Sequence, residues 1–194
     1  MNVALVLASL ALAEAASAAE FFADLVERGG GRSAAGKFYV KGDKVRQETV
    51  ADGKTTVVIV RMDKGVVWNL NPAEKKYAET ENVRGLDWGS PETRREMEKV
   101  ADRRELGTEK VNGYVCQKIQ WVFKDKSMGT LTQWISTKLR YPIRMEQRGS
   151  MGELYTEYRN IRESKLADSL FELPPGYRKT EIPPPARERR APTT

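Results

Sequence analysis

The chain has 194 residues, room for one domain once its ends are trimmed, with 33 Lys and Arg, 27 Asp and Glu, one Cys and no His. Without imidazole the commonest general base at neutral pH and the commonest metal ligand are missing. A Ser-His-Asp triad and a Cys-His nucleophile are therefore excluded, and a zinc site would need carboxylates around at most one thiolate. The net charge of +6 comes from basic and acidic residues interleaved along the chain rather than from a basic stripe with aromatics in it, so no nucleic-acid partner is expected.

Residues 1–18, "MNVALVLASLALAEAASA", have an apolar run from Val3 to Ala13, and Ala16-Ser17-Ala18 fits the A-x-A rule of signal peptidase. No Lys or Arg precedes the run, no Cys follows it for a lipid anchor, and it is shorter than the roughly 20 residues of a membrane span. The expectation is soluble export to the periplasm, with no transmembrane anchor in the mature chain. Removing 1–18 deletes one acid, Glu14, and raises the charge to about +7. That excess favours contact with an anionic envelope surface.

From Gly36 to about Thr80 the dominant period is two. "GKFYVKGDKVRQETV" reads as two strands around a Gly-Asp-Lys turn. "ADGKTTVVIVRM" adds an Asp52-Gly53 hairpin and a β-branched strand from Thr55 to Met62. In "KGVVWNLNPAEKKYAE" Pro72 suits the second position of a type I turn, and Asn71 can accept a hydrogen bond from the backbone ahead of it. The pattern breaks at "GSPETRREMEKVADRREL". Ser90 can cap, Pro91 suits the first helical position, and about a dozen helix formers follow with only Met97, Val100 and Ala101 as an apolar stripe. Such a polar helix is expected to lie over a surface, with Glu92, Glu96 and Glu98 solvated beside Arg94, Arg95 and Lys99.

Strands resume with the Asn112-Gly113 turn and "YVCQKIQWVF", then "GTLTQWIS", "YPIRMEQR" and "GELYTEYRNIR". Cys116 among them is read as a small buried side chain, and no internal disulfide can form. In "DSLFELPPGYRK", Phe171 and Leu173 are expected to plug a gap, Pro174-Pro175 to prevent further pairing and Gly176-Tyr177 to turn the chain back. The domain is thus expected over 19–179, with a disordered Pro- and Arg-rich tail at 180–194. About ten short antiparallel strands and one helix make the fold mainly β (α+β), a curved sheet or incomplete barrel.

These pieces succeed one another in an order that resembles exported bacterial proteins of the LolA-like superfamily of outer-membrane lipoprotein carriers, which includes LolB and RseB. "DKGVVWNLNP" is similar to the carrier's D-G-x-x-x-W-x-Y-[DN]-P hairpin, through Asp63, Gly65, Trp68 and Asn71-Pro72. "FELPPGY" resembles its closing phrase. The hairpin departs in the inserted Lys64 and in Leu70, where an aromatic is expected. Arg46 is the candidate counterpart of the carrier's lid-latching arginine. The resemblance implies a half-open β-barrel with a helical lid, holding acyl chains or a lipidated protein; from the residue types neither catalysis nor a cofactor is expected, with a carboxylate pair meeting in a cleft as the one enzymatic alternative.

Strand 55–62 is apolar on both faces, which fits one face on a core and one lining a cavity, or both simply buried. The candidate ligand-binding residues are Phe38, Val58, Val60, Met62, Trp68, Trp121 and Trp134, large apolar side chains on adjoining strands. The expected function is binding of lipid, lipidated protein or another amphiphile; the alternative is an RseB-like sensory or protein-interaction module on the same scaffold.

Overall fold

The computed structural model describes residues 19–81, 91–150 and 152–181. The leader expected at 1–18, Trp88, the Ser90 expected to cap the helix and nearly all of the expected tail lie outside them. Twelve strands are present: β1 (Glu20–Gly29), β2 (Arg32–Lys41), β3 (Lys44–Ala51), β4 (Lys54–Arg61), β5 (Val66–Asn71), β6 (Lys76–Glu81), β7 (Ala101–Val111), β8 (Tyr114–Phe123), β9 (Thr130–Ser136), β10 (Pro142–Gly149), β11 (Gly152–Glu163) and β12 (Arg178–Lys179). One α-helix, α1 (Pro91–Val100), precedes β7, and a 3-10 turn, Asp168–Phe171, lies between β11 and β12.

All strands join one sheet in the order β12-β6-β5-β4-β3-β2-β1-β11-β10-β9-β8-β7. Two antiparallel meanders meet where β1 pairs with β11, and β12 adds a short parallel rung to β6. The turns explain the register. Asp52-Gly53 and Asn112-Gly113 both take positive φ at two successive residues, the geometry of a tight hairpin. At Asn71-Pro72, Glu74 N donates to Asn71 Oδ1 at 3.3 Å, the acceptor role the sequence predicts, while Lys75 N donates to Pro72 O at 3.4 Å, which makes Pro72 the first rather than the second residue of that turn.

The helix is shorter than its residue types predict. It ends at Val100, and "ADRREL" starts β7 instead of extending the helix. Pairing with β8 and burial of Ala101 and Val111 at the two ends of the strand override a helix preference of a few tenths of a kcal/mol per residue. On α1 itself, Arg94 pairs with Glu98 at 2.9 Å and Lys99 with Glu96 at 2.7 Å, the solvated pattern expected of those two acids. Met97 packs on a cluster of Ala101, Ile119, Trp121 and Leu131, so the helix lies as a lid on the sheet beside β7.

The sheet is curved and open. Three strand intervals separate β11 from β8, about 14 Å if flat. Yet Tyr114 Oη donates to Glu163 Oε1 at 3.0 Å, and Asn112 Nδ2 to Tyr158 O at 2.8 Å. At this bend Glu157 is only 1% exposed. Burial alone would raise its pKa, but hydrogen bonds from Arg144, Tyr155 and Arg159 outweigh that and hold it at about 2. The main core lies beside it: Phe38 stacks on Tyr158 with ring centroids 4.1 Å apart, and Phe21, Tyr141 and Ile143 pack around them.

After β11 the chain becomes a strap across β1 to β6. Glu20 accepts from Leu166 N at 2.7 Å, Lys41 and Lys44 reach Asp168, and Arg46 donates to Leu170 O at 3.1 Å. Arg61, 4% exposed, binds Asp63 through two bonds and donates to Phe171 O and Glu172. The hydrogen bonds to Asp63 lead in holding the guanidinium far above its ordinary pKa. Phe171 is fully buried under this lock, which is the plug the sequence predicts. The Pro pair does not end pairing, however: Gly176, at φ +81, turns the chain so that Arg178 and Lys179 pair with β6.

Candidate ligand-binding surface

Directly opposed residues of antiparallel strands share a face, so the register sorts the side chains. One row runs Phe21, Val40, Val45, Val60, Val67, Thr80 from β1 to β6. The next runs Ala23, Phe38, Gln47, Val58, Asn69, Ala78. Together they form the Phe38 face. A row between them, Phe22, Tyr39, Arg46, Ile59, Trp68, Glu79, points the other way and defines the Trp68 face.

The two faces end differently. On the Trp68 face the strap closes a core of Val57, Ile59, Trp68, Leu70 and Phe171. On the Phe38 face, Phe21, Val40 and Phe38 are buried, but Val45, Val58, Val60 and Val67 are only half-buried. The valine row thus continues from beneath the core onto a half-open part of the sheet. Met62, just past the end of β4, is also half-buried.

The seven sequence candidates therefore do not share one wall. Phe38, Val58 and Val60 lie together, and Met62 follows them at the strand end. Trp68 lies on the opposite face. Trp121 pairs with Leu131 and Trp134 with Lys118, an odd spacing that puts the two tryptophans on opposite faces. Register through Leu25–Tyr158, Thr156–Met145 and Gln133–Ile119 carries the Phe38 face to Trp121, beneath α1. Past the β-bulge at Pro142–Arg144, Trp134 nevertheless packs in the core with Phe38 and Tyr158, with the cations of Lys118 and Arg144 4.7 and 5.5 Å from its ring.

Each indole on a described strand has a partner, which marks it as a fixed element of wall or core. Trp68 donates to Glu79 at 2.8 Å, Trp121 to Gln133 at 2.9 Å and Trp134 to Glu109 at 2.9 Å. Glu79 is held below the usual carboxylate range by Lys179 and then Trp68, and Glu109 by Trp134 and then Lys118. Cys116 is fully buried, and that burial pushes its thiol up, away from reactivity. Val45 and Val67 belong to the half-open surface although residue size did not single them out. Counting alternate residues out from the Gly42 and Gly65 turns would have found them.

Chemically this surface offers apolar contact. Each methylene moved onto it from water gains up to about 0.8 kcal/mol. Among the described residues no three of Cys, Asp and Glu gather as a metal site. The most displaced carboxylate, Glu157, is saturated by its arginines and lines the bend, away from the valine row.

The architecture is that of a LolA-like half-barrel, a curved open antiparallel sheet with a helical lid. The chain belongs to the family described as Domain of unknown function (DUF4412), whose model matches residues 26–140. Among solved structures, an uncharacterized conserved protein from Thermus thermophilus superposes with a TM-score of 0.62 at 11% identity, over 86% of this chain and 93% of that one. MucB in the MucA/MucB complex of Pseudomonas aeruginosa gives a TM-score of 0.56 at 16% identity, over 82% of this chain and 57% of MucB. This chain thus spans little more than half of MucB. A LolA superfamily protein from Nitrosomonas europaea matches at 10% identity over 79% of this chain and 90% of its own, with a TM-score of only 0.38. No curated protein sequence matches the chain. Among the described residues no helix is long and apolar enough to cross a membrane.

Proposed function

We propose that the protein is a non-catalytic periplasmic binding protein for an amphiphile, a lipid or a lipidated protein, and that the ligand's apolar part lies on the half-open Phe38 face. The observation that carries this reading is the valine row: Val45, Val60 and Val67 continue in register from the buried Val40 and remain half-exposed. Phe38, Val58 and Met62 complete that surface, and Trp121 extends the same face beneath α1. Trp68 supports it from the other side of the sheet, and Trp134 packs in the core beside Phe38.

The test is mass spectrometry of organic extracts of the protein, purified under mild conditions from a bacterial periplasm, beside a similarly charged exported control. A stoichiometric amphiphile is expected. It should be depleted about tenfold or more in Val60→Asp, which sets a carboxylate where the acyl chain would lie, while circular dichroism stays unchanged. Ligand-free wild-type protein would overturn the reading. A second reading, a protein-interaction module, is favoured by the likeness to MucB, which is crystallised in complex with MucA. In that case a stable protein complex is recovered and the extracts are empty.

A further inference from the structure

One hydrogen-bonding group inside the sheet is left over, and it bears on the polar part of the ligand. Gln133 of β9 is 3% exposed. It lies on the Phe38 face, opposite Ile119 of β8 and Met145 of β10, and both of these belong to the apolar cluster on which Met97 of α1 packs. The orientation of its amide is fixed. An indole N–H only donates, so the 2.9 Å bond from Trp121 Nε1 holds Oε1 toward the ring and turns Nε2 away from it. Nε2 is buried and meets no acceptor among the described residues. Buried amide donors are paired in nearly all folded proteins, because an unpaired one forfeits its hydration without return.

The ladder joins this group to the half-open valines. The row through Gln133 runs Glu105, Ile119, Gln133, Met145, Thr156, Glu27 from β7 to β1. At its end Glu27 accepts from Gln47 Nε2 at 3.3 Å, and Gln47 opposes Val58 of the candidate surface. Gln47, Glu27, Thr156 and Gln133 thus form a polar band on the same face as the valines. No residue of the row is a cation. Of its two carboxylates, Glu105 is paired with Arg103 at 2.6 Å, whereas Glu27 meets the neutral Gln47 amide. A phosphate or a free carboxylate brought to Gln133 would share the row with like charge. A neutral carbonyl oxygen takes the amide proton without that opposition.

We propose that Gln133 Nε2 donates to a carbonyl oxygen of the bound amphiphile, so that the ligand is an acyl ester or amide whose hydrocarbon part leads from there toward Val58 and Val60. The inference rests on the amphiphile reading and narrows its ligand class.

The test compares two probes that differ in one group: 1-tetradecanoylglycerol, an acyl ester, and 1-O-tetradecylglycerol, in which a methylene replaces the carbonyl. Both are titrated into the full chain by calorimetry. The ester is expected to bind at least about tenfold more tightly, since it alone pairs the buried amide. In isotope-labelled protein followed by NMR, the Gln133 side-chain amide resonance should shift with the ester and stay in place with the ether. In Gln133→Leu, checked for folding by circular dichroism, the two affinities should converge. If that variant does not fold, the wild-type comparison and the amide resonance decide the matter by themselves. Equal affinities in wild type, an amide resonance indifferent to the ester, or a preference that survives Gln133→Leu overturns the proposal and leaves the amphiphile reading standing. Failure of both probes to bind removes the reading and the proposal together.

Discussion

Replacing Glu157 with Gln tests whether the bend of the sheet is held by a buried carboxylate. Glu157 takes Arg144 Nη2 at 2.6 Å, Asn112 at 3.3 Å and the Arg159 guanidinium, with only 2% of its side chain exposed. Its pKa falls from an ordinary 4.5 to about 2. At about 1.4 kcal/mol per tenfold change in proton affinity, that depression corresponds to about 3 kcal/mol. The unfolded chain takes up this proton near pH 4.5, the folded chain only near pH 2. The contribution is therefore complete above pH 4.5 and vanishes as pH falls to 2. Urea unfolding followed by tryptophan fluorescence should show wild type more stable than Glu157→Gln by about 3 kcal/mol at pH 7. The gap should close between pH 4.5 and 2, because the protonated acid and the amide carry the same charge. A gap that does not change with pH would refute the argument. So would a variant as stable as wild type at neutral pH.

Phe171→Ala removes the plug of the strap and should lower stability by about 3–5 kcal/mol, with Trp68 emission shifting to the red as water reaches Ile59 and Leu70. A blue, unshifted Trp68 would mean that the strap does not shield it. At Gly36 a Cβ would meet Glu48 O at 1.7 Å, backbone that cannot swing aside. Gly36→Ala should therefore pull β2 from β3 and lower the thermal midpoint by several degrees, measured by circular dichroism.

The meander was legible because its turns carry their own chemistry. Asp52-Gly53, Asn112-Gly113 and Asn71-Pro72 each specify a local geometry that needs no distant contact, and the strands between them follow. "ADRREL" has no such marker. Its residues favour a helix, and only the ladder with β8, paired after residue 111 turns the chain, makes it a strand. The candidate surface was half legible for a related reason. Phe38, Val58 and Val60 share parity across turns of readable length, whereas Trp68 is one residue out of step with Val67. Trp121 and Trp134 sit on either side of a hairpin with a loop from 124 to 129 and beyond a β-bulge at Pro142–Arg144. One inserted residue reverses every side chain after it, and nothing in the local pattern announces the insertion. Glu157 was illegible altogether, since its arginines come from β10 and from its own strand.

The strap bears on the order in which the protein can be completed. Arg61 and Phe171 are 110 residues apart in the chain, so a ribosome or secretion channel that delivers the amino terminus first releases β2 to β6 long before their cover exists. During that interval Ile59, Trp68 and Leu70 face water as a greasy strip on paired strands, open to chaperones or to a neighbouring nascent chain. Only the last residues to emerge seal it. A chain cut between Glu163 and Phe171 would retain β1 to β11 and still remain permanently at that vulnerable stage.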